Sequence, residues 1–137
     1  MKIDGLEKQI EEAVKLLIEE TEAFCIYLLG SASRNELRDD SDIDIAFLSD
    51  TSIDSYKSFI IAQRLYDVFK RDVDLINLNS ASTVFKAQVV GKGRVIFCND
   101  NKKRCYFEMR ALKEYALLNE ERECILQSIK ERGNIYG

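Results

Sequence analysis

The sequence predicts an α/β (α+β) domain, a small mixed β-sheet backed by helices. Four short apolar runs, 24–29, 43–48, 73–78 and 94–98, have the length and composition of strands. Helix-period stretches flank and separate them, and the chain holds no internal repeat or low-complexity tract. The 137 residues are 46% apolar and 32% charged, the balance of a globular chain, and are read as one domain over 1–137.

The elements follow in order. Asp4-Gly5-Leu6-Glu7 has the form of a helix cap, and Leu6, Ile10, Ala13, Val14, Leu17 and Ile18 then share one helical face. Phe24 to Leu29 forms a strand that ends at Gly30. Residues 31–37 suit a short helix starting at a Gly-Ser loop, and Arg38 to Ser41 a polar turn. Ile43 to Leu48 is the second strand. Ser52 is the expected cap of a helix running to Phe69 and carrying Tyr56, Phe59, Ile60 and Leu65. Val73 to Leu78 is the third strand. Asn79-Ser80-Ala81-Ser82 opens a short helix through Val90, closed by Gly91 or Gly93. Arg94 to Cys98 is the fourth strand, and Asp100 caps a helix of about 102–132 that stops at Gly133-Asn134. On that helix Tyr106, Met109, Leu112, Tyr115 and Leu118 are expected to pack on the chain's own sheet; a partner surface is the other reading.

Composition excludes several chemistries. There is no histidine, which removes Ser-His-Asp and Cys-His catalysis and leaves a carboxylate as the first choice of general base. Cys25, Cys98, Cys105 and Cys124 form no CxxC pair, so a structural zinc site is not expected. Cys25 and Cys98 read as reduced core thiols. A net charge of −4 does not favour general nucleic-acid binding. No apolar stretch approaches 18 residues, and the opening charged helix pattern is unlike a signal peptide, so the expected location is cytoplasmic.

The chemistry concentrates in acidic residues. Along a strand, Asp42 and Asp44 point to one side while Ile43, Ile45 and Phe47 point to the other. Two carboxylates about 4 Å apart repel by roughly 4 kcal/mol at an effective dielectric near 20, a repulsion that a cation relieves. Hard oxygen ligands favour Mg2+ or Mn2+. Asp74, within Asp72-Val73-Asp74-Leu75-Ile76, joins them if its strand pairs in the same sheet, and three carboxylates then suit two-metal phosphoryl chemistry. Asp72 is the rival third ligand, and the apolar neighbours of Asp74 favour Asp74. An EF-hand fails, because counting from Asp40 the sixth position is Ile45 and the twelfth is Thr51. A polar turn leading into a strand is the plain alternative for this acidic run.

Gly30 permits close backbone approach, and Ser31 with the following N–H groups can hold phosphate oxygens. Neither GxxxxGK[ST] nor GxGxxG is present. Gly30-Ser31, ten residues, then Asp42-x-Asp44, with Asp74 on a later strand, resembles the nucleotidyltransferase superfamily that includes DNA polymerase β. Gly30-Ser31-Ala32-Ser33-Arg34, Arg38, Ser41-Asp42-Ile43-Asp44-Ile45 and Val73-Asp74-Leu75-Ile76-Asn77-Leu78-Asn79-Ser80-Ala81 are similar to the minimal nucleotidyltransferases (MNT). So is Gly93-Arg94-Val95-Ile96-Phe97, and the likeness covers about 24–98. One departure is Ser33-Arg34-Asn35, where the family usually has Ala-Arg-Gly or Ala-Lys-Gly; Asn tolerates left-handed backbone angles better than most residues.

The resemblance implies the DNA polymerase β-like fold with a long last helix. It also implies an antitoxin that transfers AMP from ATP to a tyrosine of a HEPN-domain ribonuclease toxin. Under it Asp42 and Asp44 bind both metals, and Asp74 binds the catalytic metal and helps deprotonate the tyrosine. Gly30 and Ser31 hold the β- and γ-phosphates, and Arg34 and Arg38 are candidates for triphosphate charge compensation, with solvated loop arginines as the other reading. Nucleic acid is met only through the toxin. Toxin masking without catalysis, and transfer to a small-molecule or nucleic-acid acceptor, are the alternatives. The short chain favours an acceptor supplied by a partner surface.

Overall fold

The computed structural model describes residues 2–30 and 42–136, with side chains over 5–30 and 42–131. The expected helix at 31–37 and turn at 38–41 lie outside the described residues. The described elements are α1 (Lys2–Thr21), β1 (Cys25–Leu29), β2 (Ile43–Leu48), α2 (Ser55–Phe69), β3 (Val73–Asn77), α3 (Thr83–Lys92), β4 (Arg94–Cys98) and α4 (Asn101–Tyr136). A 3₁₀ turn, Leu78–Ser80, joins β3 to α3.

The strands form one mixed sheet in the order β3-β2-β1-β4. β1 runs antiparallel to both neighbours, and β2 and β3 run parallel across the α2 connection. β1 and β2 are central and almost wholly buried, which is why their sequences read as continuous apolar runs. Alternation then divides the side chains between two cores. Ile26, Leu28, Ile43, Ile45 and Phe47 pack beneath α1 and α2, against Leu6, Ala13, Leu17, Ile61, Leu65 and Phe69. Tyr27, Ala46 and Leu48 face the other way, with Val89 of α3 and Phe107 of α4. Burying a side chain such as Leu17 or Phe47 contributes about 1.5–3 kcal/mol, so both faces contribute to holding the sheet.

Local chemistry explains the joints. α1 and α2 each end on a left-handed residue, Glu22 (φ 54°) and Lys70 (φ 57°), and the Lys70 N–H donates to the Tyr66 carbonyl at 2.7 Å. Buried Thr21 donates its hydroxyl to the Leu17 carbonyl at 2.7 Å, and Ser49 donates to the Thr21 carbonyl, so neither hydroxyl is stranded. Gly93 closes α3. A Cβ there would stand 2.6 Å from the Val89 carbonyl oxygen and 3.1 Å from Leu29 Cδ2, so only glycine lets α3 turn this tightly onto β1. α4 is latched to the sheet by Tyr27, whose hydroxyl donates to Glu108 Oε1 at 3.1 Å.

Several expected boundaries move. α1 begins before Asp4, so Asp4-Gly5 lies inside it rather than capping it. Asp54, not Ser52, caps α2, accepting from the Lys57 N–H at 2.7 Å. Ser82 caps α3, while Asn79 and Ser80 belong to the 3₁₀ turn and Gly91 sits inside the helix. Asp100 does accept from the Lys103 N–H at 3.1 Å, but α4 continues through Gly133 to Tyr136.

The expected packing of α4 is also corrected. Of the five expected residues, Tyr106, Met109 and Leu112 are exposed, whereas Tyr115 and Leu118 are half-buried, and Phe107 and Ala111 face the chain. Positions three apart drift by about 60° per step around a helix, so a stripe chosen at that spacing meets the packed face over only part of its length. Similarly, α2 buries Ile61, Leu65 and Phe69, spaced by four, while Tyr56, Phe59 and Ile60 lie in solvent. Cys25 is buried and Cys98 only half-buried; all four cysteines are free thiols.

Candidate active site

The site assembles where β1 ends and β2 and β3 begin. Leu29, the last residue of β1, is the register partner of Asp44, and Asp44 is the register partner of Asp74 on β3. Adjacent strands lie about 4.8 Å apart, so the two carboxylates project side by side from one face. Gly30 follows Leu29 with φ +68°, a left-handed angle suited to glycine. A Cβ at Gly30 would stand 3.3 Å from Asp44 Oδ2, so the bare backbone leaves the carboxylate its position. Gly30, Asp44 and Asp74 thereby share one small depression.

Electrostatics mark Asp44 as the strained member. Its carboxyl pKa is raised, first by burial, then by the charge of Asp74, then by that of Asp42. Asp42 stands one residue before β2 and is exposed. The ladder is anchored beside it, where the Ile43 N–H donates to the Asp72 carbonyl at 2.9 Å. Among the described residues, no three carboxylates or thiols converge tightly enough to cage an ion alone. Such a set suits a hard cation that completes its shell with water and phosphate oxygens.

Two depressions meet at Asp74. One, of about 250 Å³, is lined by Gly30, Asp44 and Asp74 together with Phe85, Gln88 and Lys92 of α3. The other, of about 310 Å³, is lined by Asp42, Asp72 and Asp74 together with Gln63 and Tyr66 of α2. A larger cleft, about 620 Å³, lies elsewhere, at the far end of β2, among Asp50, Lys86, Lys102, Lys103 and Arg110. It holds none of Asp42, Asp44 and Asp74, so size is a poor guide to the chemistry here.

Of the residues singled out from the sequence, Gly30, Asp42, Asp44 and Asp74 are brought to this corner. Asp72 lies on its rim. Ser31, Arg34, Asn35 and Arg38 lie outside the described residues. Gln63, Tyr66, Gln88 and Lys92 are additions that sequence reasoning missed. Gln88 and Lys92 are four residues apart on α3, so they share a helical face; nothing in the sequence alone tells which element that face meets.

Comparison with known proteins now decides the family. The model of polymerase beta nucleotidyltransferases matches residues 11–102, which runs from the middle of α1 to the start of α4 and covers every described site residue. The chain belongs to the polymerase beta nucleotidyltransferase family. Within that family it is similar to the protein adenylyltransferase MntA of Shewanella oneidensis, 36% identical over 104 residues that cover 76% of this chain and 74% of the relative. Its structure is similar to a crystal structure of a toxin–antitoxin with AMP-PNP, at TM-score 0.78 and 33% identity, covering 88% of this chain and 97% of the other. It is also similar to the tri-AMPylated Shewanella oneidensis HEPN toxin in complex with MNT antitoxin, at TM-score 0.76 and 31% identity, covering 90% and 98% of the two chains. The nucleotidyltransferase fold expected from the Gly-Ser and Asp-x-Asp runs is thus the observed one, including the long last helix.

Proposed function

We propose that this nucleotidyltransferase is an MNT antitoxin that transfers AMP from ATP to a tyrosine of a HEPN-domain toxin. The observation that carries this reading is the pairing of Asp44 and Asp74 on adjacent parallel strands beside the left-handed Gly30. The relatives supply the acceptor class: MntA is named for protein adenylylation, and the related complex holds a tri-AMPylated HEPN toxin.

The carboxylates fit a hard divalent cation by their donor chemistry and by the repulsion that raises the Asp44 pKa. Asp42, Asp44 and Asp74 would hold it, Mg2+ first and Mn2+ as the alternative. When bound, the ions supply positive charge to the triphosphate and to the leaving pyrophosphate. Gly30, which carries no side chain, and Ser31, next in the chain, are assigned the β- and γ-phosphates. Lys92, across the same depression, is suited to triphosphate charge, and Arg34 and Arg38 are assigned the same task. Asp74 is assigned the proton of the acceptor tyrosine. The phenolic oxygen then attacks the α-phosphorus, an O–P bond forms, the bond to the bridging oxygen breaks, and pyrophosphate leaves.

We read residues 1–137 as one minimal nucleotidyltransferase domain. Among the described residues no helix is long and apolar enough to cross a membrane. The cytoplasm, where ATP and a ribonuclease toxin's RNA are found, is the location this function requires.

The test is direct. The purified protein is mixed with labelled ATP, Mg2+ and the product of any adjacent HEPN-like gene. Label on a toxin tyrosine supports the proposal, and absence of label with both proteins folded and bound overturns it. Toxin neutralisation that survives loss of all three aspartates, without label transfer, would instead establish masking.

A further inference from the structure

We infer that the solvent face of α2 is the surface on which the acceptor protein docks, an inference that rests on the protein-acceptor reading above. Tyr56, Phe59, Ile60 and Tyr66 lie on that face, 74%, 59%, 40% and 46% exposed. They follow the 3.6-residue period, so they form one stripe opposite the buried Ile61, Leu65 and Phe69. The fold therefore does not need them to be apolar. Three rings and an isoleucine on one exposed helical face match the aromatic enrichment of protein interfaces.

The occupant follows from where the stripe leads. Tyr66 and Gln63, at its C-terminal end, line the same depression as Asp42 and Asp74. Tyr56 lies ten residues upstream, about 15 Å along the helix axis. A nucleotide base stacked on Tyr66 would leave Tyr56, Phe59 and Ile60 uncovered. A protein lying along α2 covers all four and brings its own tyrosine hydroxyl to Asp74. The other depression, with Gly30, Gln88 and Lys92, is left to the triphosphate. Asp74 lines both, as a residue between donor and acceptor should.

The experiment uses the full chain and the product of any adjacent HEPN-like gene as the toxin. Tyr56→Glu and Phe59→Glu are combined in one variant, with Met109→Glu and Leu112→Glu on α4 as the matched exposed-apolar control. The α2 variant should weaken toxin binding by about tenfold or more and raise the KM for toxin, with kcat at saturating toxin retained. Binding of a non-hydrolysable ATP analogue with Mg2+ should not change in either variant. Unchanged toxin affinity and KM in a folded α2 variant overturns the inference, as does loss of binding only in the α4 control. If wild type transfers no AMP, the functional proposal falls, while toxin affinity still tests the docking face independently.

Discussion

Asp44 of β2 and Asp74 of β3 are register partners on parallel strands, so the two carboxylates stand side by side at one corner of the sheet. The sheet sustains this because Ile43 and Ile45 alternate into the core beneath α1 and α2. Asp44→Asn and Asp74→Asn should each lower AMP transfer by more than the roughly 10–100-fold that loss of an outer-shell metal partner costs. Without metal, Asp44→Asn should raise Tm at neutral pH, because it removes a half-buried charge that its neighbours oppose. Added Mg2+ should stabilise wild type more than the variant. Thermal melts with and without Mg2+ check this, and equal Mg2+ stabilisation of both proteins would remove Asp44 from the metal site.

Gly30 tests the backbone side of the same corner. An alanine at φ +68° carries a left-handed penalty of about 1–2 kcal/mol. Its Cβ would also meet Asp44 Oδ2 at 3.3 Å, so the carboxylate must yield by a few tenths of an ångström. A misplacement of 1 Å costs about 100-fold in rate, so Gly30→Ala is expected to lose roughly tenfold in kcat with a Tm lower by a few degrees. Steady-state kinetics beside a melt separate the two effects, and a variant with wild-type kcat would mean that Asp44 tolerates the intrusion.

Lys92 reaches the depression from α3, across from Asp44 and Asp74. A hydrogen bond to a charged group is worth about 1.5–3 kcal/mol, so Lys92→Ala should raise the KM for ATP by roughly 10–100-fold. Lys92→Arg should restore much of the loss, since it keeps the charge. Competition by pyrophosphate is the second readout: if Lys92 holds the triphosphate, the alanine variant should also bind pyrophosphate more weakly. Unchanged KM in Lys92→Ala would return this residue to the solvent.

The strands and the carboxylates were legible in the sequence for one physical reason: both are carried by period-2 patterns over short runs. Ile43, Ile45 and Phe47 announce the buried face of β2, and that fixes the opposite side for Asp44. The apolar neighbours of Asp74 favour it over Asp72, and the β2–β3 register sets Asp74 beside Asp44. What escaped depends on contacts between distant elements. Nothing local distinguishes the buried stripe of α2 from its exposed aromatic one, because both are apolar and both follow a helical period. Gln88 and Lys92 became site candidates only because Gly93 lets α3 fold back onto β1. Ser52 lost the cap of α2 to Asp54, which stands nearer the first helical turn and accepts from Lys57.

Cys25 and Tyr27 predict the response to alkali. Burial pushes the Cys25 thiol up to about 12 from an ordinary 9.0, and burial followed by the charges of Cys25 and Glu108 pushes the Tyr27 phenol well above its ordinary 10.0. Both groups therefore keep their protons in the folded chain at pH values where the unfolded chain has lost them. The folded state then binds more protons, so stability is complete below about pH 9 and falls as pH rises toward 12. The loss approaches about 1.4 kcal/mol per pH unit for each such group. Urea midpoints measured between about pH 8 and pH 11 should fall, and the slope should be shallower in Cys25→Ala and in Tyr27→Phe. Tyr27→Phe should also show a lower midpoint at neutral pH, because Glu108 loses the hydroxyl that joins α4 to the sheet. A flat profile for wild type across that range would show that neither group is held protonated by the fold.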